Sequence, residues 1–309
     1  MYSGWIVKWK LNRPLTREER DSALPRNRQE GIKADNHATV VAFNSTYAEF
    51  VGRRFLLRGG FKTFGSTFAV IGYVLVPAFI LFSIPMDSRN IIGLSMVSIT
   101  AAAFALALIV RILSRDFFTH TYYPIRFNRK TRQVYVFRDK RDGGILTVPW
   151  DDVFVHIGRG LRDPVYDLRG HLLEGDTVKD TFVAGLCYTD QESVKALWEF
   201  VRRYMDEGVE SLGKIEIWTT PAATLMNSRI IVGVYVGGTE GARAILWPFW
   251  ALLIATRWLV MKTSKPPVWP AEIEAACRIE PDDPHRLPEP EYTGQFGVER
   301  EMAKQRASR

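Results

Sequence analysis

The sequence contains few cysteines and lacks the motifs of the common enzyme classes. Its 309 residues include only two cysteines, Cys187 and Cys277, which suits a reducing compartment and rules out a disulfide framework or a zinc motif. There is no nucleophile elbow, P-loop, dinucleotide fingerprint, H-E-x-x-H or C-x-x-C pattern. We therefore predict that the protein is not an enzyme and carries neither a metal nor a cofactor.

The chain also lacks an apolar run behind a basic start in residues 1–20, so no secretory signal peptide is expected. The formal net charge is +7, from 41 basic and 34 acidic residues. This modest excess suits an anionic lipid surface, whereas the absence of a Lys/Arg tail or a compact nucleic-acid motif argues against nucleic acid as a partner.

Two long uncharged apolar runs are present, at residues 63–86 and 91–110. About 20 apolar residues suffice for a helix to cross a hydrocarbon core of ~30 Å. Only residues 87–90 separate the runs, so the sequence predicts a transmembrane helical hairpin. Basic residues cluster outside the hairpin rather than in its loop. This bias predicts a multi-pass inner (cytoplasmic) membrane protein of a bacterium, with both termini cytoplasmic.

A third apolar stretch covers residues 244–261. Arg257 interrupts its uncharged run, and Pro248 disfavours a continuous helix before it. We predict an interfacial or re-entrant helix, with a third span and a soluble core as the alternatives. Tryptophan and snorkelling arginine side chains favour a boundary between apolar and wet surroundings. The predicted interfacial anchors are Trp247, Trp250, Arg257 and Trp258.

Residues 116–208 predict an antiparallel β domain of about six short strands. A helix follows, with Thr189 and Glu192 as a capping box and Gly208 as its terminator. Its apolar stripe consists of Val194, Leu197, Trp198, Val201 and Met205. This order of elements resembles the pleckstrin-homology-like fold, which usually binds lipids or peptides.

The remaining segments complete a predicted α+β membrane protein. Residues 1–62 are expected to form an N-terminal cytoplasmic arm with a strand pair, which leads into the first span or joins the later sheet. Residues 209–263 are expected to hold two strands, KIEIW and IIVGVYV, before the hydrophobic helix. Residues 264–309 form a Pro-rich charged tail, expected to be extended or disordered beyond about residue 285.

The first hairpin of the β domain is strongly basic. Its charges form a candidate contact for anionic headgroups or for a partner; the alternative is a solvated face that only follows the charge bias near membrane spans. The residues of this basic hairpin are Arg126, Arg129, Lys130, Arg132, Arg138, Lys140 and Arg141.

His156 and His171 are the candidates for chemistry. On a strand, Asp152 and His156 share one face, which suggests an acid–base pair or a metal site. A structural sheet histidine beside turn carboxylates is the favoured alternative, because a metal site needs more convergent ligands than one histidine supplies. The same reasoning applies to His171.

The chain resembles a group of uncharacterised bacterial membrane proteins found among type VI secretion genes. The resemblance covers most of residues 1–208 and is carried by short structural signatures. These are Gly4-Trp5, Leu11–Leu15, Phe43–Phe50, Arg58-Gly59-Gly60, Pro124–Phe137 and Val148–Trp150. It implies a role in toxin action, immunity or delivery, and it supplies no catalytic residues.

Three functions compete at this stage. The preferred one is a non-enzymatic inner-membrane protein whose cytoplasmic domain binds a protein partner, as an immunity or adaptor protein of a type VI secretion toxin. The alternatives are a membrane-active secreted toxin and a scaffold that binds lipid headgroups. A membrane-bound enzyme that uses His156 or His171 is a further hypothesis. Expected partners are the bilayer with its anionic lipids, a protein from a secretion or toxin locus, and a further copy of the chain.

Overall fold

The computed structural model describes most of the chain outside residues 61–115. The described residues are 9–60, 116–160, 165–217, 219–236 and 246–288, with isolated helical positions between 65 and 110. The chain forms two compact units. The first consists of Met1–Phe55, Tyr122–Pro221 and Pro267–Arg309, and the second of Leu56–Thr121 and Ala222–Pro266.

The first unit contains two antiparallel sheets. One sheet has the strand order β2-β3-β4-β5-β6, and the other has the order β1-β9-β8-β7. The strands are β1 (Arg13–Pro14), β2 (Val40–Phe43), β3 (Tyr47–Phe50), β4 (Ile125–Asn128), β5 (Gln133–Val136), β6 (Leu146–Pro149), β7 (Val153–Arg159), β8 (Tyr166–Glu174) and β9 (Thr177–Tyr188).

Five α-helices have both of their ends within the described residues. They are α1 (Arg17–Asp21), α2 (Gln191–Asp206), α3 (Leu225–Val236), α4 (Trp247–Thr263) and α5 (Ala271–Ala276). Helices α1, α2 and α5 belong to the first unit, and α3 and α4 to the second.

The predicted strands of the β domain and its amphipathic helix are confirmed. All five residues of the predicted stripe on α2 are buried, and they join one core with the strands. Gly208 ends the helix as predicted, at φ +100°. The N-cap is Asp190 rather than Thr189, because the Asp190 carboxylate accepts the backbone N–H of Ser193 at 2.7 Å.

The predicted N-terminal strand pair joins the later sheet. Strands β2 and β3 pair with each other, and β3 continues the ladder to β4. On the opposite face of this sheet, Trp269, Ile273 and Cys277 pack against Tyr47 and Tyr135. This packing holds α5 on the sheet, so the Pro-rich segment is built into the unit at least to Leu287, whose N–H donates to the Phe43 carbonyl at 3.0 Å. The tail from residue 289 lies outside the described residues.

Two strand predictions after the β domain are corrected. IIVGVYV, predicted to be a strand, belongs to helix α3, which packs against α4. The described residues of KIEIW, 214–217, form no strand. A run of β-branched residues favours a strand on propensity alone, but packing against a neighbouring helix overrides that preference.

The predicted membrane architecture is also corrected. Among the residues that the structure describes, no helix combines the length and the apolarity needed to cross a membrane. Helix α4 has 17 residues, about 26 Å at a rise of ~1.5 Å per residue, which is short of the ~30 Å core. Most of the two predicted spans, 63–86 and 91–110, lies outside the described residues. The prediction of an α+β membrane protein with a transmembrane hairpin, and of a multi-pass inner-membrane location, is therefore wrong.

Candidate functional site

The candidate site is a buried cluster of Glu19, His156 and His171. Strands β7 and β8 are antiparallel neighbours, with His156 opposite Arg169 and His171 opposite Phe154. The two histidines are two positions apart in this register, so both imidazoles stand on the same face of the sheet. The hypothesis that paired His156 with Asp152 missed this arrangement, because the partner comes from the adjacent strand.

Helix α1 brings the carboxylate to the two rings. Thr16 caps the helix and its side chain accepts the N–H of Glu19, while Glu19 Oε2 accepts the N–H of Thr16 at 3.0 Å. This capping box fixes the direction of the Glu19 side chain. Arg13 on β1 then binds both carboxylate oxygens, at 2.7 and 2.6 Å. A bidentate pair of this kind holds the carboxylate in one orientation.

A chain of hydrogen bonds runs through the two imidazoles. His156 Nδ1 lies 3.2 Å from the Ile157 carbonyl, His156 Nε2 lies 2.9 Å from His171 Nε2, and His171 Nδ1 lies 2.8 Å from Thr181 Oγ1. A carbonyl only accepts, so His156 carries its proton on Nδ1. The Thr181 hydroxyl donates to His171 Nδ1, and His171 Nε2–H donates to His156 Nε2. Both rings are neutral in this arrangement.

The electrostatics of the cluster agree with neutral rings. Burial lowers the pKa of His156 to about 3, and the charges of His171 and Arg169 act in the same direction. Burial also lowers the pKa of His171, although the neighbouring Glu19 acts to raise it. Burial acts to raise the pKa of Glu19, but the contacts of its carboxylate with His171 and Arg13 hold that pKa well below the usual range. Glu19 is therefore a carboxylate and both histidines are uncharged at neutral pH.

The three side chains offer ligand atoms within 4.8 Å of one another, which is the spacing of a potential metal site. Two features make the fit poor. Zinc at 2.0–2.1 Å from each ring would hold the nitrogens roughly 3.3 Å apart, whereas 2.9 Å is the length of a hydrogen bond. A cation would also stand beside Arg13, whose guanidinium binds the same carboxylate. The arrangement suits a proton between the rings better than a metal.

The cluster is sealed from solvent. Glu19, His156 and His171 are each 0% exposed. A cleft of about 430 Å³ lies nearby, lined among others by Ser22, Arg159 and Lys195, but not by the three cluster residues. The Ser22 hydroxyl lies 3.5 Å from His156 Nδ1, and it donates to the Glu18 carbonyl at 2.7 Å. The Ser22 hydroxyl hydrogen is thus directed at the Glu18 carbonyl rather than at His156.

A second buried charge cluster lies on the same strands. Asp167 accepts two hydrogen bonds from Arg169, both at 3.0 Å, and one from Arg53 at 3.0 Å. The guanidinium carbons of Arg53 and Arg169 lie 4.8 and 4.7 Å from the ring of Trp9. Gly158 faces this cluster, because a Cβ at that position would overlap Asp167 and Arg169. This arrangement ties the N-terminal arm to β8.

The structure places the basic hairpin among carboxylates. Arg126 is buried beside Glu49 and Glu274, and Arg138 binds Asp180 through two hydrogen bonds. Other members are paired too: Lys130 with Glu280, and Arg132 with Asp151 and Asp206. Lys140 and Arg141 are exposed and Arg129 is half-buried. These pairs reduce the free positive charge of the hairpin, and its role as a partner contact stays a prediction.

The four predicted anchors lie on α4 but in different surroundings. Trp247 is 54% exposed, whereas Trp250 and Trp258 are half-buried. Arg257 is fully buried, and its side chain donates to the carbonyls of Leu56 and Arg58 at 3.2 and 2.8 Å. Arg257 is thus a structural residue inside the second unit rather than a side chain that extends to a boundary.

Sequence reasoning missed one member of the cluster, Glu19, and two residues that bind the cluster, Arg13 and Thr181. Glu19 is separated from His156 by more than a hundred residues, and no local pattern links them. One local pattern does involve Glu19, the Thr16-Arg17-Glu18-Glu19 capping box. It predicts the start of a helix but not the surface that the helix covers.

The first unit is thus a two-sheet antiparallel α+β fold with a sealed Glu–His–His cluster. The chain belongs to a family of unknown function (DUF6708), whose model matches residues 102–281, more than half of its length. The comparison with curated proteins and with solved structures found no match. The resemblance to an uncharacterised family is confirmed in this coarse form, and the pleckstrin-homology-like resemblance stays a prediction. Both histidines lie within the matched range, and Glu19 lies before it.

Proposed function

We propose that this chain is a non-enzymatic binding protein that engages a protein partner through an apolar surface of its second unit. The observation that carries the proposal is the exposure of large apolar side chains on helices of that unit. Apolar surface exposed by several large side chains favours association, because a protein gains free energy when that surface is removed from water.

Helix α4 illustrates the surface. One side of the helix packs inside the unit through Leu253, Arg257 and Val260, which are fully buried. The other side exposes Trp247 at 54%, Leu252 at 39% and Leu259 at 45%. A helix that is apolar on all sides is normally covered on all sides. The exposed side of α4 therefore favours a partner.

Further apolar side chains of the same unit are exposed at helical positions between 65 and 110. They are Phe79, Met96, Ile99, Phe104, Leu106 and Val110, each at least 58% exposed. Aromatic residues and methionine are enriched and charges are depleted at the centre of protein interfaces. An uncharged run of this composition suits a protein partner, which is the occupant that we propose.

The resemblance to proteins encoded among type VI secretion genes adds the finer part of the proposal. The partner is a secreted toxin or a component of its delivery, and this chain acts as an immunity or adaptor protein. The sealed Glu–His–His cluster supports a binding role over catalysis, because neither histidine is open to a substrate.

Site-specific cross-linking tests the proposal. A photoreactive amino acid is placed at Leu252 or Leu259, with Lys179, an exposed polar residue of the first unit, as the matched control position. We expect one protein adduct from both α4 positions and none from Lys179. The protein found in the adduct is then purified, and it should bind the wild-type chain. Its affinity for the double variant Leu252→Glu/Leu259→Glu should be weaker by roughly tenfold or more.

Three outcomes would contradict the proposal. They are adducts only with lipid, adducts only with a second copy of the chain, and equal cross-linking from Lys179. An adduct protein encoded away from any secretion or toxin gene would contradict the finer part alone.

A further inference from the structure

Residues 12–24 form a strap that begins with the edge strand β1 and runs over the four-stranded sheet to its other edge, at β7. At one edge the Asn12 N–H donates to the Val178 carbonyl at 2.8 Å, beside the pairing of β1 with β9. At the other edge the Leu24 N–H donates to Val155 at 2.9 Å, and the Ile157 N–H donates to Ser22 at 3.0 Å. The strap thus occupies the outer edge of β7.

The middle of the strap is fixed by one buried side chain. Between the two edges, α1 directs Glu19 onto the sheet, where its Oε1 atom lies 3.4 Å from His171 Nε2. Every polar group of this contact is fully buried, so the attachment depends on how the protons of the two rings are arranged.

We propose that the Glu19–His156–His171 cluster is an acid-sensitive latch, and that protonation of the histidine pair detaches the strap of residues 12–24 from the sheet. The geometry supplies the reason. One proton lies between the two Nε2 atoms at 2.9 Å, with the other ring nitrogens bound to Ile157 and Thr181. A second proton either sets two N–H groups against each other between the rings at that distance, or turns the Thr181 hydroxyl into an acceptor and leaves an imidazolium sealed from water close to Arg13. Both outcomes disfavour the packed pair, so the rings must separate. Glu19 lies against them and must move too.

The charges around the latch do not remove this conflict. From the strap, the Glu19 carboxylate favours an imidazolium, but Arg13 already binds both of its oxygens and opposes a further positive charge. From β8, Arg169 is a positive charge close to His156, although Asp167 binds it. Thr181 on β9 and Ser22 on the strap contribute neutral hydroxyls. The surroundings therefore favour the neutral pair, and release is the response to acid.

Release of the strap would uncover backbone groups at the outer edge of β7. The strap covers the Val155 carbonyl and the Ile157 N–H at the outer edge of β7. An uncovered edge strand is a template for pairing with another extended segment. Acid would thus expose a second binding surface, in the first unit, that is independent of the proposed apolar surface of the second unit.

Hydrogen exchange measured by mass spectrometry tests the latch on the full chain. Exchange is compared at about pH 7.5 and about pH 5, after correction for the intrinsic effect of pH, because a free histidine titrates between them. We expect protection of the Leu15 and Leu24 amides to fall at least roughly tenfold at the lower pH. The amides of the β4–β5 pair are the internal control and should stay protected. Unchanged protection of the strap would overturn the proposal.

The double variant His156→Gln/His171→Gln provides the matched control, because glutamine fills the site without titrating in this range. Protection of its strap should not change between the two pH values. If the strap amides of this variant are unprotected at both pH values, the test moves to the wild-type chain. Nuclear magnetic resonance then follows the protonation of its two histidine rings as the pH is lowered. Ring protonation and strap release should then share one midpoint. Rings that titrate while the strap stays protected would refute the latch.

Discussion

His156 and His171 share one proton between their Nε2 atoms, which lie 2.9 Å apart in the interior of the first unit. The Ile157 carbonyl at one end and the Thr181 hydroxyl at the other fix the direction of this hydrogen-bond chain. The pair is held by strands β7 and β8 and covered by Glu19 from α1. It joins the N-terminal segment to the sheet through polar contacts in a place where a typical core has apolar ones.

Replacing Thr181 by valine should destabilise the protein by about 1–3 kcal/mol, because His171 Nδ1 would lose its buried donor. Urea unfolding followed by circular dichroism measures this loss. Thr147→Val is the control, since Thr147 is exposed on β6 and its replacement should change the free energy of unfolding by less than about 0.5 kcal/mol. Equal stability of the two variants would show that the chain does not depend on Thr181.

Glu19→Gln should lower the free energy of unfolding by about 3 kcal/mol, because it leaves the buried Arg13 guanidinium without its carboxylate. The neighbouring Glu18→Gln is the matched control on the same helix, where the side chain is exposed. Thermal and urea unfolding of both variants give the comparison. If Glu19→Gln unfolds as late as Glu18→Gln, the Arg13–Glu19 pair contributes nothing to stability.

Stability should fall as the pH drops below about 6.5, the pKa of histidine in an unfolded chain. The folded pKa of His156 is lowered from 6.5 to about 3, so the unfolded state binds more protons throughout this window. The free energy of unfolding should therefore be lower by about 2 kcal/mol at about pH 5 from His156 alone. Urea midpoints across the pH range measure the effect. A flat profile between pH 7 and pH 5 would show that His156 titrates normally in the folded protein.

The alternating patterns of the sequence predicted the strands of the β domain and the stripe of α2, because both elements bury one regular face. They did not predict which strands share a sheet. Pairings between distant segments leave no local pattern, as for β1, a two-residue strand that pairs with β9 across more than 160 residues of sequence. The cluster of Glu19 with the two histidines escaped prediction for the same reason.

Hydrophobic length is a poor guide to the structure of the second unit. An uncharged apolar run is compatible both with a helix in a bilayer and with a helix that packs against protein. The length of the run therefore does not distinguish the two environments. The sequence predicts a snorkelling side chain at Arg257, yet Arg257 is buried and donates to backbone carbonyls. IIVGVYV shows the complementary error, since its β-branched residues lie in a helix that packs on α4.

Gly158→Ala should destabilise the protein by about 2–3 kcal/mol, because the added methyl group would overlap the Asp167 and Arg169 side chains. The ion pair would have to shift, and the stacking of Arg169 on Trp9 with it. Gly213→Ala is the control, since nothing lies within 4 Å of its added Cβ. Urea unfolding of both variants checks the prediction, which fails if the two behave alike.

The tautomers of His156 and His171 test the proposed hydrogen-bond chain most directly. Long-range ¹H–¹⁵N correlations of the histidine side chains at neutral pH report which ring nitrogen carries the proton. We expect two neutral rings, with the proton of His156 on Nδ1 and the proton of His171 on Nε2, and no change when zinc or a chelator is added. A charged ring, or protons on Nδ1 of both rings with Nε2 shifts that respond to zinc, would contradict it.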